Sequence, residues 1–288
     1  MIQVTRLSYP LLGCVGSLVG TSSSKSQVTT QWEGLTLRFG VCLAMNLIRL
    51  AFALLLLPLV PSDKIPAGTV IPVMLSSSLN AVKDKPDKQI EGRVMQDVQL
   101  PSGMKIREGA RMLGHTVEVT TAAAGTSMVV RFNAIQNEGG RIPVTVGLLA
   151  VASMASVSAA QLPISSNSDV TPDTQWLTRQ VGGDVVRRGT GQVFSSDGVV
   201  GSWVGGSSVL MRLTANAAAG CGGGPGYDLQ QALWIFSSAA CGAYGLPNVK
   251  IEKSGLDKPV GEIRLTSSKK IDIRGGSGWL LITTEAPE

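Results

Sequence analysis

The sequence predicts a mainly β protein: an antiparallel barrel or sandwich, with one helix and a second β-rich half. Three observations lead to that class. Short runs of Val, Ile and Thr recur every ~8–12 residues, the spacing of all-β folds. Gly, Pro and Asn punctuate those runs, and the 288 residues include 34 Gly and 14 Pro. Hydrophobic residues make up 44% and charged residues only 16%, too apolar and too weakly charged for a disordered chain. A packed core is therefore expected, in one or two domains.

Residues 63–147 read as the first domain, a β-barrel or sandwich. IPAGTVIPVML starts with a Pro-x-Gly turn and runs on as a β-branched strand. KDKPDKQ is a polar turn, and QIEGRVMQDVQL alternates apolar and polar residues as a half-buried strand does. After the PSG turn, KIREGARMLGHTVEVT leads to a small-residue loop, TAAAGT. SMVVRFNAI, the turn QNEGG and the strand RIPVTV complete the domain.

Residues 148–288 read as a helix plus a β-rich, Trp-containing half. In LLAVASMASVSAAQL (148–162), Leu148, Val151, Met154, Ala155 and Ala159 stand near helical spacing, which predicts one helix packed on the β-domain. PISSNSDVTPDTQ (163–175) is a loop of turn formers, VGGDVVRRGTGQVF a hairpin, and SDGVVGSW a turn entering a strand. ANAAAGCGGGPGYD (215–228) reads as a flexible loop and QALWIF as a buried strand; three β runs follow between Asn248 and Glu285. Trp176, Trp203, Trp234 and Trp279 all fall in this half and are expected to fill one core.

The N-terminal region reads as an export signal. Leu50–Val60 is an 11-residue charge-free apolar run behind Met45 and Arg49. A membrane-spanning helix needs ~20 apolar residues and a signal-peptide core ~7–15. Residues 45–62 are thus expected to be a signal peptide, or a membrane anchor if Phe39–Val60 is retained uncleaved. Residues 1–44 are expected to be a non-native segment upstream of a start at Met45. Leu11–Cys14 resembles a lipoprotein box, but only 13 residues precede its Cys. Export places the folded part in the periplasm or cell envelope, touching membrane only through the N-terminal segment if that is uncleaved.

Charge follows the same division. The chain carries a formal +5, yet 1–62 holds Arg6, Lys25, Arg38 and Arg49 against Glu33, leaving 21 basic and 19 acidic residues beyond it. That near-neutral remainder has no Lys/Arg cluster interleaved with aromatics, so no nucleic-acid partner is expected.

Three stretches carry a resemblance. IPAGTVIPVMLSSSLNA, LPSGMKIREGARMLGHTVEV and MVVRFNAIQNEGGRIPVTV together resemble the β-domain of TrbI-type scaffold subunits of type IV secretion and conjugation machines. The likeness covers residues 65–147. Arg107 stands where that pattern usually has Pro, only Pro61 to Ile65 replaces its long Pro-rich linker, and 148–288 lies outside the pattern. The whole chain also resembles exported bacterial proteins with a QALWIFSSAACG segment and no assigned function. The resemblance implies a barrel-like fold and an assembly role in the envelope, through a protein partner or self-association.

Cys221 and Cys241 are the cysteines left beyond the leader. An even pair in an exported chain predicts a disulfide, worth ~3 kcal/mol for a loop of about 20 residues on the chain-entropy model. Two reduced thiols are the alternative.

No constellation rises to a catalytic site, and no cofactor is implied. His115, the single histidine, lies on an expected strand in GHTVEV, with Glu118 three residues on and facing the other side. Asp97 is the candidate carboxylate to approach it across strands. Ser267 and Lys270 meet an S-x-x-K spacing, but between β runs and without S-D-N or K-T-G, so a turn is the reading. The Gly220–Gly226 stretch fits neither dinucleotide nor P-loop patterns. Asn167, Asp169 and Asp173 lack the central Gly and closing Glu of a calcium loop, and one His with no Cys-x-x-Cys leaves no metal site. An exported, non-enzymatic structural or assembly component is the expectation. A periplasmic ligand- or glycan-binding module is the alternative, with Trp176 or Trp203 exposed in a cleft as its mark.

Overall fold

The computed structural model describes residues 64–164, 177–187, 191–196, 198–214 and 229–285. The expected leader, and the boundaries drawn at 44 and 62, lie outside the described residues. Within these, period-2 runs become strands as expected. β1 (Val70–Leu75) follows the IPAGT turn, β2 (Leu79–Asn80) is a short outlier, and β3 (Gln89–Val94) buries every second side chain. β4 (Val98–Gln99) and β5 (Lys105–Ile106) flank the PSG turn as a separate hairpin. The long hairpin of β6 (Arg111–Ala122) and β7 (Gly125–Asn137) comes next, then β8 (Gly140–Pro143) and β9 (Val146–Ala152).

The helix expected over 148–162 is a strand in its first part. Residues 146–152 are a strand, and the helix α1 is confined to Met154–Ala160, capped by Ser153, whose Oγ accepts the Ser156 N–H. Every residue of β9 is buried. A strand covered on both faces is apolar throughout, which erases alternation and leaves a run that mimics a helix. The boundary expected at 147/148 falls inside this strand.

Strands from the second half then complete the first sheet. After β10 (Leu177–Arg179), β11 (Val185–Arg187), β12 (Gln192–Ser195), β13 (Gly198–Gly205), β14 (Ser208–Met211) and β15 (Gln231–Ala232) come β16 (Gly242–Tyr244), β17 (Val249–Lys253), β18 (Ile263–Ser267), β19 (Asp272–Ile273) and β20 (Gly278–Thr283). The large sheet runs β16-β9-β20-β1-β3-β6-β7-β18-β17, with β8 beside β7. Its pairs are antiparallel except β9 with β16, which is parallel. The edges β16 and β17 are joined only by Gly245–Asn248, and the Leu148 N–H donates to the Ser254 carbonyl at 2.7 Å just beyond β17. Edges so linked curl the sheet into a nearly closed barrel. Its interior holds Ile71, Val73, Ile90, Met112 and Leu281, with Phe132 and Trp279 meeting edge-on at 5.8 Å.

β10 to β15 form a second, antiparallel sheet in sequence order. Val186, Val193, Val209 and Met211 pack with Val70, Ala150, Leu280 and Ile282, the outward-facing residues of β1, β9 and β20. Two further expectations are corrected. QALWIF is a strand only over Gln231–Ala232; it then turns, with Trp234 at φ 51°. The tryptophans do not fill one core: Trp279 lies inside the barrel, whereas Trp234 lies between the sheets, edge-on to Phe236.

Candidate functional site

A groove of about 1020 Å³ opens where the second sheet meets the barrel, at the upper end of the ~300–1,000 Å³ usual for ligand sites. Its walls are the β4–β5 hairpin, β15, the β13–β14 turn, and the Pro66–Thr69 approach to β1. Amide side chains tie the two sheets together at its base. Gln96, only 3% exposed, donates from Nε2 to the Val209 carbonyl at 2.9 Å and accepts the Trp234 N–H on Oε1 at 2.8 Å. Gln231 accepts the Val70 N–H at 3.3 Å. The Gln96 bond satisfies a backbone donor that the left-handed turn at Trp234 would otherwise bury unpaired.

Apolar side chains line the mouth. The pairing of β13 with β14 slips between Trp203 and Gly205, so Val204 is the extra residue of a bulge. Bulges re-aim side chains. Val204 is 51% exposed and Leu229 62% exposed, and both line this groove. At the hairpin end, Asp97 accepts the Glu108 N–H at 2.8 Å and pairs with Lys105 at 3.0 Å. The Glu108 N–H, and then Lys105, hold its carboxyl below the usual range against the opposing effect of burial.

The residues singled out in the sequence are dispersed. His115 lies on β6 with Gln89 and Arg131 as its cross-strand neighbours, and Asp97 is committed to Lys105 and Glu108. Glu118 does not face the far side as expected. A register shift between Thr116 and Glu118 returns it to the exposed face, where it binds Arg264 at 3.0 Å. Ser267 ends β18 and accepts the Lys269 N–H, the turn that was expected. Trp203 is half-buried against the inter-sheet core and does not line the groove. Cys241 donates its N–H to the Tyr244 hydroxyl at 3.0 Å. Cys221, Trp176, the Asn167–Asp173 loop and Gly220–Gly226 lie outside the described residues. No group of three or more potential metal ligands occurs among the described residues. No described helix is long and apolar enough to cross a membrane.

Gln96 and Val204 escaped sequence reasoning. Gly205-Gly206 signals a hairpin turn, but no residue pattern announces the extra residue before it.

No family model and no curated protein matches the chain. Among solved structures, ComB10 of the Com type IV secretion system of Helicobacter pylori is similar over 28% of this chain, at 18% identity and a TM-score of 0.23. The overlap spans 43% of that chain, less than half its length.

Proposed function

We propose that this protein is an exported, non-catalytic component of the cell envelope with a structural or assembly role. The observation that carries the reading is the groove: a preformed cleft between barrel and flanking sheet with apolar side chains held out at its mouth. Exposed apolar surface gathered in one concavity marks an interaction site. The TrbI-like motifs of 65–147 support the same direction, and the 11-residue apolar core after Met45 supports export. The pairing of Cys221 with Cys241 belongs to this reading, since an oxidising compartment favours it. Crosslinking of the full chain in intact cells tests it: discrete adducts with an envelope protein or a second copy are expected. A solitary protein recovered from the cytosol, with both thiols open to alkylation, would overturn it.

A second reading, a periplasmic module for a small ligand or glycan, is favoured by the groove volume alone. Of the two tryptophans that would mark it, Trp203 packs on the inter-sheet core and does not line this groove, and Trp176 lies outside the described residues.

A further inference from the structure

We infer that the surface built from the loop after β2 and the turn before β19 docks on an anionic phospholipid membrane, with Val82 entering the headgroup layer among lysines. The inference goes beyond the assembly reading and does not rest on it.

The fold gathers charges that the sequence scatters. β2 pairs with β19, Asn80 opposite Asp272, and the Ala81 N–H donates to the Ile271 carbonyl at 3.0 Å. That ladder sets the loop carrying Lys83 and Lys85 beside the turn carrying Lys269 and Lys270. Thr126 fixes the turn: its Oγ1 donates to the Lys269 carbonyl at 2.8 Å and accepts the Ile271 N–H at 3.1 Å.

Charge is uneven there. Lys83, Lys85, Lys269, Lys270 and Arg274 are exposed, and none of them forms an ion pair among the described residues. Lys88 is neutralised by Asp84 at 2.8 Å, which leaves Asp87 and Asp272 as the exposed carboxylates. Five cations thus face two anions at this surface, whereas the whole chain beyond residue 62 has 21 basic against 19 acidic residues. The rest of that chain is slightly acidic, so a negative surface attracts this face in preference to the others.

An apolar tip stands among the lysines. Val82 is 62% exposed. Asn80 Oδ1 accepts the N–H groups of Val82 at 3.0 Å and Lys83 at 3.2 Å, and Asp84 Oδ2 accepts the Asn80 N–H at 2.7 Å, so the loop is held in shape by its own side chains. Apolar burial combined with attraction to anionic lipid is how proteins lie on membrane surfaces. Four of the five cations are Lys, point charges suited to mobile headgroups rather than to forked recognition of a fixed carboxylate. Nucleic acid is less suited, because neither Ser76–Gln89 nor Thr266–Gly278 contains an aromatic residue on which a base could stack.

The test partitions the full chain onto phosphatidylcholine vesicles with and without phosphatidylglycerol. An apolar run such as Leu50–Val60 enters both kinds, so the readout is the excess on the anionic vesicles. That excess is expected to fall with added salt. Combining Lys83→Gln, Lys85→Gln, Lys269→Gln and Lys270→Gln should cut it about tenfold or more. Removing the same charge elsewhere, with Arg93→Gln, Arg141→Gln, Lys253→Gln and Lys258→Gln, should leave most of it; all eight positions are exposed, and thermal melts check that both variants fold. Val82→Ser should weaken binding while keeping its salt dependence. Equal binding to both vesicles, an equal loss in the two charge variants, or a Val82→Ser chain that binds as wild type would overturn the inference. Crosslinking in cells reports on the assembly role separately, so either can fail alone.

Discussion

The barrel and the flanking sheet solve the same problem in opposite ways. The barrel pairs nearly every edge, fills its interior with side chains from strands far apart in sequence, and clamps its outer face with cross-strand ion pairs such as Arg111–Glu91 and Arg264–Glu118. The six-stranded sheet is a meander whose neighbours are also neighbours in sequence, and it packs Val186, Val193, Val209 and Met211 against the outer face of the barrel. It is held to the barrel by a turn, Leu233–Phe236, and by amide bonds from Gln96 and Gln231. Closure makes the barrel a scaffold in its own right, while the sheet depends on what it leans against.

Paired cavities should separate the two most sharply. Trp279→Ala and Trp234→Ala each empty a fully enclosed site and should cost ~3–5 kcal/mol. Their reach should differ. Trp279→Ala is expected to shift the whole denaturation curve, whereas Trp234→Ala should raise amide exchange in β10–β15 and leave β1, β3, β6 and β7 protected. Uniform loss of protection in both variants would mean that the two sheets unfold as one unit.

Gln96→Ala should act more gently and at the joint itself. It strands the Trp234 N–H and the Val209 carbonyl, at ~1–3 kcal/mol for each buried group left unpaired. Gln96→Glu, which sets a buried carboxylate without a counter-charge against the Val209 carbonyl, should lower the urea midpoint at neutral pH at least as far as Gln96→Ala. Equal midpoints for all three proteins would remove the amide from the account of how the sheet is held.

The smallest effect is electrostatic and belongs to the barrel and its β4–β5 hairpin. Hydrogen bonds from Arg111 to Glu91 and from Arg264 to Glu118 lower those carboxyls, as the Glu108 N–H lowers Asp97. A carboxylate with a depressed folded-state pKa contributes stability above its unfolded value and loses it as pH falls through the folded value. Stability should therefore be flat from neutrality to about pH 5 and decline below about pH 4. The decline should be modest, because these pairs are exposed and screened. Thermal melts from pH 7 to pH 3 check it; Glu91→Gln with Glu118→Gln should flatten the acid limb.

Legibility followed burial. IPAGTVIPVML was readable as β1 because a turn motif and β-branched residues agree. SMVVRFNAI was readable as β7 for the same reason, joined to β6 by a tight turn. β9 was not, since Leu148–Ala152 is apolar on both faces and its periodicity is gone. QALWIF misled in the other direction: its apolar residues serve a turn wedged between sheets, a tertiary demand with no local signature. The bulges that return Glu118 to the exposed face and turn out Val204 are single-residue slips in register, and register is a property of two strands rather than one. The groove therefore could not be read from the sequence, although most of the strands around it could.

β20 sits between β1 and β9, so Val70 pairs with Ile282 across almost the whole described chain. Until that strand arrives, β1 and β9 have no common neighbour and the barrel cannot shut. Contacts so distant in sequence pay their loop-closure entropy before any burial rewards it, which makes folding slow and late. Under the proposed export that delay would be an advantage: the polypeptide would stay threadable until β20 had emerged, and the barrel would close only afterwards.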